Sequence, residues 1–175
     1  SADWPLYDVI TIDSDYVFDN LYDFPVYVDL ADLSAQFWST VRDGGGDIRV
    51  TTHEANPVEL AREVVSASTT LETGELHFKA DYLNPGKDTS FRIYYNGVDS
   101  DYLTNQTYGA ENVWSNNYIA VYHMDDDPDN GVNFLLDSTA NGYNGTASGT
   151  MSSADIVSGQ IGSALDFDGV DDRIN

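Results

Sequence analysis

The chain has 175 residues, enough for one domain of ordinary size or slightly more, and 41% of them are hydrophobic, which argues against global disorder. Its 30 acidic and 7 basic residues give a net charge of −23. A nucleic-acid partner is therefore not expected, because phosphate contacts need a basic surface. The absence of cysteine excludes disulfides and thiolate sites. No apolar run is long enough to cross a bilayer, so membrane insertion is not expected.

The sequence of residues 1–115 predicts strands joined by turns, with one short helix. Apolar and polar residues alternate with a period of two, and the many aromatic residues favour half-buried sheets. The predicted strands are Tyr7–Ile12, Phe24–Leu30, Ile48–Thr52, Val58–Val65, Glu75–Ala80 and Ser90–Tyr95. The stretch Val58–Val65 also has good helix propensity, and its alternation decides for a strand. Residues 98–115 show no clear period and are interpreted as a loop or linker.

The helix is predicted where Leu33, Phe37 and Val41 recur every four residues. Either Asp32 or Ser34 is expected to cap its amino end. The glycines 44–46 then end it, and we interpret them first as a turn into the next strand, since glycine clusters are turn formers.

The stretch Asn117–Asp127 joins the two parts of the chain and is predicted to be a buried strand. If it is extended, Ile119 and Val121 point to one face, and Ala120 and Tyr122 point to the other. Both faces are therefore largely apolar, as expected of a strand inside a sandwich.

The expected fold class is all-β with one short helix, arranged as an antiparallel β-sandwich of the jelly-roll or lectin-like kind. Residues 1–115 are expected to form one domain and residues 116–175 the opening strands of a second. In the second part, Ile161–Phe167 alternates again, and another strand is predicted to start at Arg173.

Several short blocks in the first part resemble an uncharacterised bacterial and archaeal domain family of unknown function. They are Trp4 with Ile10-Thr11-Ile12, Asp23-Phe24-Pro25-Val26, Gly46-Asp47-Ile48-Arg49, Arg62-Glu63 and Ile93-Tyr94-Tyr95-Asn96-Gly97. Members of that family occur in large surface proteins and beside proton-channel-like components. The resemblance implies a secreted or cell-surface setting and does not imply an activity.

The last 60 residues or so resemble the opening of a laminin-G-type, concanavalin-A-like lectin domain. The matching stretches are Val121–Asp125, Asp137–Gly142 with Asn144–Thr146, and Gly159–Gly169 followed by Asp171-Asp172. The resemblance implies carbohydrate binding, but the strands that complete both sheets of such a domain are missing from the match. We therefore expect the two parts to pack as one continuous sandwich within a longer parent protein. The alternatives are a fragment of a longer protein and completion by a strand of another chain.

Catalysis has little support in the sequence. There is no Gly-x-Ser-x-Gly elbow, and the three histidines (His53, His77 and His123) lack a metal-ligand spacing. His77 and His123 are interpreted as packed strand residues and His53 as a loop residue. Thirty carboxylates make chance pairs inevitable, so their number does not indicate a glycosidase. We expect a protein that is not an enzyme.

The acidic residues have two interpretations: a surface adapted to salty water, or loop sites for Ca²⁺, which prefers oxygen ligands. Carboxylates crowd one turn after the junction stretch and another near residue 170, and they also flank the triglycine. The candidate ligands are Asp125, Asp126, Asp127 and Asp129 in the first turn, and Asp166, Asp168, Asp171 and Asp172 in the second. Asp43 and Asp47 flank the glycines, and none of these groups has EF-hand spacing.

Carbohydrate recognition would use aromatic faces with nearby hydrogen-bonding groups. The candidate residues are Tyr94, Tyr102, Tyr108, Trp114 and Tyr143. We expect a calcium-stabilised, non-catalytic module of a large bacterial surface protein that binds a carbohydrate or another cell-surface ligand. The alternatives are a spacer that positions a neighbouring ligand-binding domain, and an accessory module of a polysaccharide-degrading enzyme. An aromatic groove beside a metal would favour the lectin, whereas faces covered only by carboxylates and threonines would favour the spacer.

Overall fold

The computed structural model describes residues 4–175, which form antiparallel sheets with two short α-helices. The all-β, antiparallel sandwich class expected from the sequence is confirmed. The chain divides into two compact units. Unit 1 ends at Asn116, and unit 2 spans Asn117–Asn175.

The described residues of unit 1 form seven strands in two sheets. The strands are β1 (Leu6–Ile12), β2 (Leu21–Asp29), β3 (Arg49–Thr52), β4 (Glu59–Leu60), β5 (Arg62–Ser68), β6 (Thr73–Leu83) and β7 (Thr89–Tyr95). The first sheet has the order β1-β7-β3-β4 and the second β2-β6-β5. Single turns of 3-10 helix cover Ser14–Tyr16 and Leu30–Asp32.

The core of unit 1 lies between these two sheets. Burial alternates along β1 and β7, so one face of each strand points inward, as the period-two pattern predicts. Phe78 of β6 meets Phe91 of β7 with ring centroids 4.8 Å apart, and both side chains are fully buried. This contact joins the inner faces of the two sheets, which is the packing of a β-sandwich.

The predicted helix is present as α1 (Ala35–Thr40). Ser34 caps it, since its hydroxyl accepts a hydrogen bond from the Phe37 amide at 3.2 Å. Phe37 is buried against Tyr95 of β7, with ring centroids 5.1 Å apart. The triglycine that follows forms a turn, and Gly44 and Gly45 both adopt positive φ there.

The single strand predicted over Val58–Val65 is wrong. Two strands occupy this stretch, because β4 pairs with β3 in one sheet and β5 pairs with β6 in the other. The chain crosses between the sheets at Ala61, and the side chains of Leu60, Ala61 and Arg62 are all buried. The crossing leaves the alternating pattern uninterrupted, so the sequence did not reveal it.

The loop or linker interpretation of residues 98–115 is also corrected. This stretch contains α2 (Ala110–Val113), which packs on β5 and β6. Val113 and Trp114 are buried there. The Arg62 amide also donates to the Tyr108 carbonyl at 3.1 Å. The segment is therefore part of unit 1.

Unit 2 contains four short strands in two ribbons. The strands are β8 (Ala147–Ser148), β9 (Ile156–Ser158), β10 (Ser163–Leu165) and β11 (Arg173–Ile174), and single 3-10 turns cover Pro128–Asn130 and Ser153–Asp155. β9 pairs with β10, and β8 pairs with β11. The strands predicted near Ile161–Phe167 and from Arg173 are confirmed in shorter form.

The buried strand predicted over Asn117–Asp127 is wrong, and so is the predicted strand position of His123. The segment is irregular, and Ile119 is 74% exposed. Its backbone is hydrogen-bonded by side chains and not by a neighbouring strand. The Val121 amide donates to Asp137 Oδ1 at 3.0 Å, and Asn141 Nδ2 donates to the Ile119 carbonyl at 2.9 Å. His77, by contrast, lies buried in β6, and His53 lies in a loop, as predicted.

Neither helix of the described residues has the length or the apolar character that crossing a membrane requires.

Candidate functional site

The outer face of the first sheet of unit 1 combines aromatic and cationic side chains. We call it the aromatic face. Residues paired directly across antiparallel strands point to the same side of a sheet. Strand pairing therefore places nine residues on this face: Tyr7, Val9 and Thr11 of β1; Ser90, Arg92 and Tyr94 of β7; Arg49 and Thr51 of β3; and Glu59 of β4.

A groove of about 300 Å³ opens on the aromatic face. Its lining residues are Trp4, Arg49, Thr51, Pro57, Glu59 and Tyr94. The indole Nε1 of Trp4 donates to the Asp47 carbonyl at 3.1 Å. Gly97 is required for this position, since a Cβ there would lie 2.1 Å from the Trp4 Nε1. One wall of the groove is thus a fixed aromatic ring.

Arg49 forms the base of the groove and is only 3% exposed. Its guanidinium carbon lies 4.2 Å from the centroid of the Tyr102 ring and 5.2 Å from that of Trp4, in cation-π range of both. Its Nη atoms donate to the carbonyls of Gly46, Ile48 and Ser100. These bonds hold Arg49 in one orientation beneath the groove.

Glu59 places a carboxylate at the side of the groove. Its Oε1 accepts a hydrogen bond from the Tyr102 hydroxyl at 2.8 Å and lies 3.7 Å from Arg49 Nε. That separation is an ion pair but exceeds a hydrogen bond, so Arg49 Nε has no hydrogen-bond partner among the described residues. Burial, and then the neighbouring Glu59 carboxylate, raise the pKa of Tyr102.

The loop that carries Tyr102 is fixed by a second buried arginine. Arg62 Nε donates to the Ile48 carbonyl at 2.8 Å, and its Nη2 forms an ion pair with Asp101. Burial lowers the pKa of Arg62, while the Asp101 carboxylate opposes that shift. The two arginines together bind the loop after β7 to the start of β3.

Three of the five predicted ligand residues lie near this groove. Tyr94 lines it, Tyr102 packs on Arg49, and the Tyr108 ring lies 5.7 Å from that of Tyr102. Trp114 is only 7% exposed and donates to Glu63 on β5, which belongs to the other sheet. Tyr143 lies in unit 2 and is 59% exposed.

Trp4, Arg49 and Glu59 were not among the predicted site residues. Strand alternation carries a usable signal for Arg49, because it lies two residues before Thr51 in β3 and therefore shares its face. Glu59 joins this face only through the pairing of β4 with β3. No pattern in the sequence shows that Trp4 folds over β3.

In the acidic turn after the junction stretch, three carboxylates accept hydrogen bonds from three different backbone amides. Asp126 Oδ2 accepts from the Leu136 amide at 2.8 Å, and Asp127 Oδ1 accepts from the Asp129 amide at 2.9 Å. Asp129 Oδ2 accepts from the Ser153 amide at 3.1 Å, and the bonds from Ser153 lower the pKa of Asp129. Among the described residues, Asp125, Asp126, Asp127 and Asp129 do not converge as a group of three oxygen ligands.

The second acidic turn does bring carboxylates together. Oxygens of Asp168, Asp171 and Asp172 all lie within 4.8 Å of one another, whereas Asp166 is outside this group. Asp168 Oδ1 accepts from the Val170 amide at 2.8 Å and also from the next two amides, and the bond from Val170 contributes most to lowering the pKa of Asp168. The residues have the ligand type that Ca²⁺ takes, in a turn whose own amides also bond one of them.

The aspartates beside the triglycine accept hydrogen bonds from backbone amides of unit 1. Asp47 is buried, and its two carboxylate oxygens accept from the amides of Arg42 and Asn96, at 3.0 and 2.9 Å. Asp43 Oδ1 accepts from the Thr69 amide at 3.0 Å. Both carboxylates stabilise turns.

Two further cavities lie elsewhere in unit 1. The larger, about 590 Å³, runs between β1 and β2, the outermost strands on one side of the two sheets, and is lined mainly by aliphatic residues and aspartates. The other, about 390 Å³, is polar and includes His53, Glu54, Asp81 and Lys87. The groove on the aromatic face differs from both, because it combines aromatic rings with an arginine and a carboxylate.

Comparison of the chain with known protein families, with curated proteins and with solved structures gives no match. The two family resemblances therefore stay predictions of the sequence.

Proposed function

We propose that this chain is a non-catalytic module of a bacterial surface protein that binds a saccharide in the groove on the aromatic face. The observation that carries the proposal is the lining of the groove: the rings of Trp4 and Tyr94 flank the polar side chains of Arg49, Thr51 and Glu59. Apolar ring faces suit the C–H surfaces of a sugar, and the polar groups suit its hydroxyls.

The size of the groove supports a small ligand unit. Ligand pockets range from roughly 300 to 1,000 Å³, and this groove of about 300 Å³ lies at the lower end. It is therefore suited to one or two sugar rings of a longer chain. The bonds that fix Arg49 and Trp4 make the site largely preformed, which reduces the entropy lost on binding.

The carboxylates support binding rather than hydrolysis. Glycoside hydrolysis needs two carboxyl groups, about 5–5.5 or 6.5–9.5 Å apart. Glu59 is the one carboxylate among the residues that line the groove, and it is bonded to Tyr102. A saccharide bound here would meet a single carboxylate, so we propose that the module is not an enzyme.

The test is a glycan screen of the whole chain followed by calorimetric titration of the glycans that bind. Replacing Tyr94 by Ala removes a ring from the groove, and we expect affinity to fall at least tenfold, or about 1.4 kcal/mol. Tyr143→Ala is the matched control, because it removes an exposed tyrosine of unit 2. The Trp4 ring provides a second readout through its fluorescence, since Trp38 and Trp114 are buried.

Two results would contradict the proposal. If Tyr143→Ala abolishes binding while Tyr94→Ala does not, the saccharide binds unit 2. If no glycan binds at all, the spacer function is favoured, with Arg49 and Arg62 serving only to fix their own loops.

A further inference from the structure

One cation on the aromatic face has neither a carbonyl nor a carboxylate partner among the described residues. Arg92 lies on β7, directly opposite Val9 on one side and Thr51 on the other. Its guanidinium carbon is 5.2 Å from the Tyr7 ring, and its Nη1 makes one long hydrogen bond, 3.4 Å, to the Tyr94 hydroxyl. Its Nε is covered and has no partner among the described residues.

The other arginines of unit 1 are used differently. Arg42, Arg49 and Arg62 each donate to backbone carbonyls, and Arg49 and Arg62 also form ion pairs. Arg92 donates to no carbonyl and pairs with no carboxylate of the described residues. In a chain with 30 acidic residues, a partly buried guanidinium without an acidic neighbour is unusual, since buried charges are normally paired.

The surroundings of Arg92 favour an anionic ligand. Glu59 is the one acidic residue that strand pairing places on this face, and it is already engaged by the Tyr102 hydroxyl. A guanidinium presents a planar fork of donors that matches a carboxylate in a bidentate arrangement. The net charge of −23 opposes an anion at long range, but exposed charges beyond about 8 Å are largely screened at physiological ionic strength.

Arg92 also lies beside the groove. Thr51, opposite it on β3, and Tyr94, bonded to it, both line the groove. The Tyr7 and Tyr94 rings, 5.1 Å apart, continue the aromatic surface next to the guanidinium. A sugar ring in the groove thus has a guanidinium without a carboxylate partner next to it, on the same face of the sheet.

We propose that the ligand is an acidic saccharide, a chain of uronic acid residues, whose carboxylate binds the guanidinium of Arg92 while its ring lies in the groove. This inference rests on the saccharide-binding function proposed above. It assigns the chemical class of the ligand and makes Arg92 the residue that distinguishes acidic from neutral sugars.

The test compares paired probes by calorimetric titration of the whole chain. The probes are oligomers of galacturonate, glucuronate, mannuronate and guluronate, each with its methyl-esterified form, which keeps the sugar ring but removes the charge. We expect at least one acid to bind ten times more tightly than its ester. Equal binding of acid and ester, or binding of esters alone, would overturn the acidic class and leave saccharide binding intact. If neither these oligomers nor neutral glycans bind, the proposed function itself fails.

Variants of the chain locate the effect. We expect Arg92→Gln to weaken binding of the acid about ten times more than binding of the ester, whereas Arg92→Lys keeps part of the preference. Lys87→Gln is the matched control, because it removes the same charge from a turn that lines another cavity. Thermal melts confirm that each variant is folded. Equal losses in Arg92→Gln and Lys87→Gln would overturn the role of Arg92 and indicate a general charge effect.

Discussion

The two units of this chain are stabilised in different ways. Unit 1 buries a continuous apolar core between two sheets, with Leu76, Phe78, Phe91 and Ile93 completely covered. In unit 2 the buried apolar side chains of the described residues are Pro128, Phe134 and Leu135. Its ribbons have two or three residues in each strand, and two-stranded ribbons alone are marginally stable.

Unit 2 instead relies on side chains that bond the backbone. Asp137 accepts from the amides of Val121, Thr139 and Tyr143, at 3.0, 2.9 and 2.9 Å, and from the Thr139 hydroxyl. One carboxylate thereby links the junction stretch to the segment from Thr139 to Tyr143. Carboxylates bond backbone amides in both units, but in unit 2 they do so without the large apolar core that unit 1 has.

The largest effect is expected from the core of unit 1. Phe78→Ala removes a fully buried ring and should lower the free energy of unfolding of unit 1 by about 3–5 kcal/mol. Tryptophan fluorescence during denaturation measures this, because Trp4, Trp38 and Trp114 all lie in unit 1. The control is Phe167→Ala, a half-exposed residue of unit 2. A comparable loss in both variants would refute the assignment of the core to unit 1.

The second largest effect is expected from Ca²⁺, which should stabilise unit 2. The sequence predicts a calcium-stabilised module, and the convergent carboxylates of Asp168, Asp171 and Asp172 lie in unit 2. At 100 times its dissociation constant, a ligand that binds only the folded state adds about 2.7 kcal/mol. We expect hydrogen exchange of unit 2 to slow when Ca²⁺ replaces chelator at fixed ionic strength, and we expect Asp171→Asn to reduce the effect. If exchange is unchanged, the acidic residues serve solubility in salt.

A smaller effect is expected from Asp137. Asp137→Asn removes the charge that three amides share and should cost unit 2 about 1.5 kcal/mol, the lower end for hydrogen bonds to a charged group. Hydrogen exchange of the Val121 and Tyr143 amides measures this. Asp166→Asn is the control, since Asp166 is outside the convergent group. An equal effect of both substitutions would show that Asp137 has no special role.

The lowered pKa of Asp137 predicts that the stability of unit 2 depends on pH. Burial acts to raise the pKa of Asp137, but the bonds from Thr139, Val121 and Tyr143 outweigh it and hold the pKa below its usual value. Because the folded pKa is lowered, the stabilisation is complete above about pH 4, the usual aspartate range, and is lost as the pH falls through the folded value. Protection of unit 2 in wild type should therefore decline in acid. Asp137→Asn should show a smaller decline, since Asp129 and Asp168 of unit 2 also have lowered pKa values.

The sequence predicted elements whose signal is local, and it missed those that depend on distant partners. β1, β2, β6 and β7 follow from alternation, and α1 from its four-residue spacing and its serine cap. The junction stretch alternates as well, yet the Val121 amide bonds to an aspartate 16 residues away. Alternation shows which side chains share a face, but not whether a second strand is available to pair.

The groove was missed for a related reason. Its residues come from the amino-terminal segment, from β3 and β4 with the loop between them, and from β7, and strand order alone brings them together. Tyr94 could be predicted because an aromatic ring is a candidate sugar platform by its chemistry alone. Arg49 and Arg92 could not, because basic residues do not indicate a sugar site without the aromatic neighbours that strand pairing gives them.

The most direct test of the division between the units is an amide NMR titration of the isotopically labelled chain with the acidic oligosaccharide that binds most tightly. We predict that the indole signal of Trp4 and the amides of Thr51, Glu59, Arg92 and Tyr94 shift together, while those of unit 2 around Tyr143 do not. Shifts concentrated in unit 2, with the aromatic face unchanged, would contradict the account and place the ligand site in unit 2.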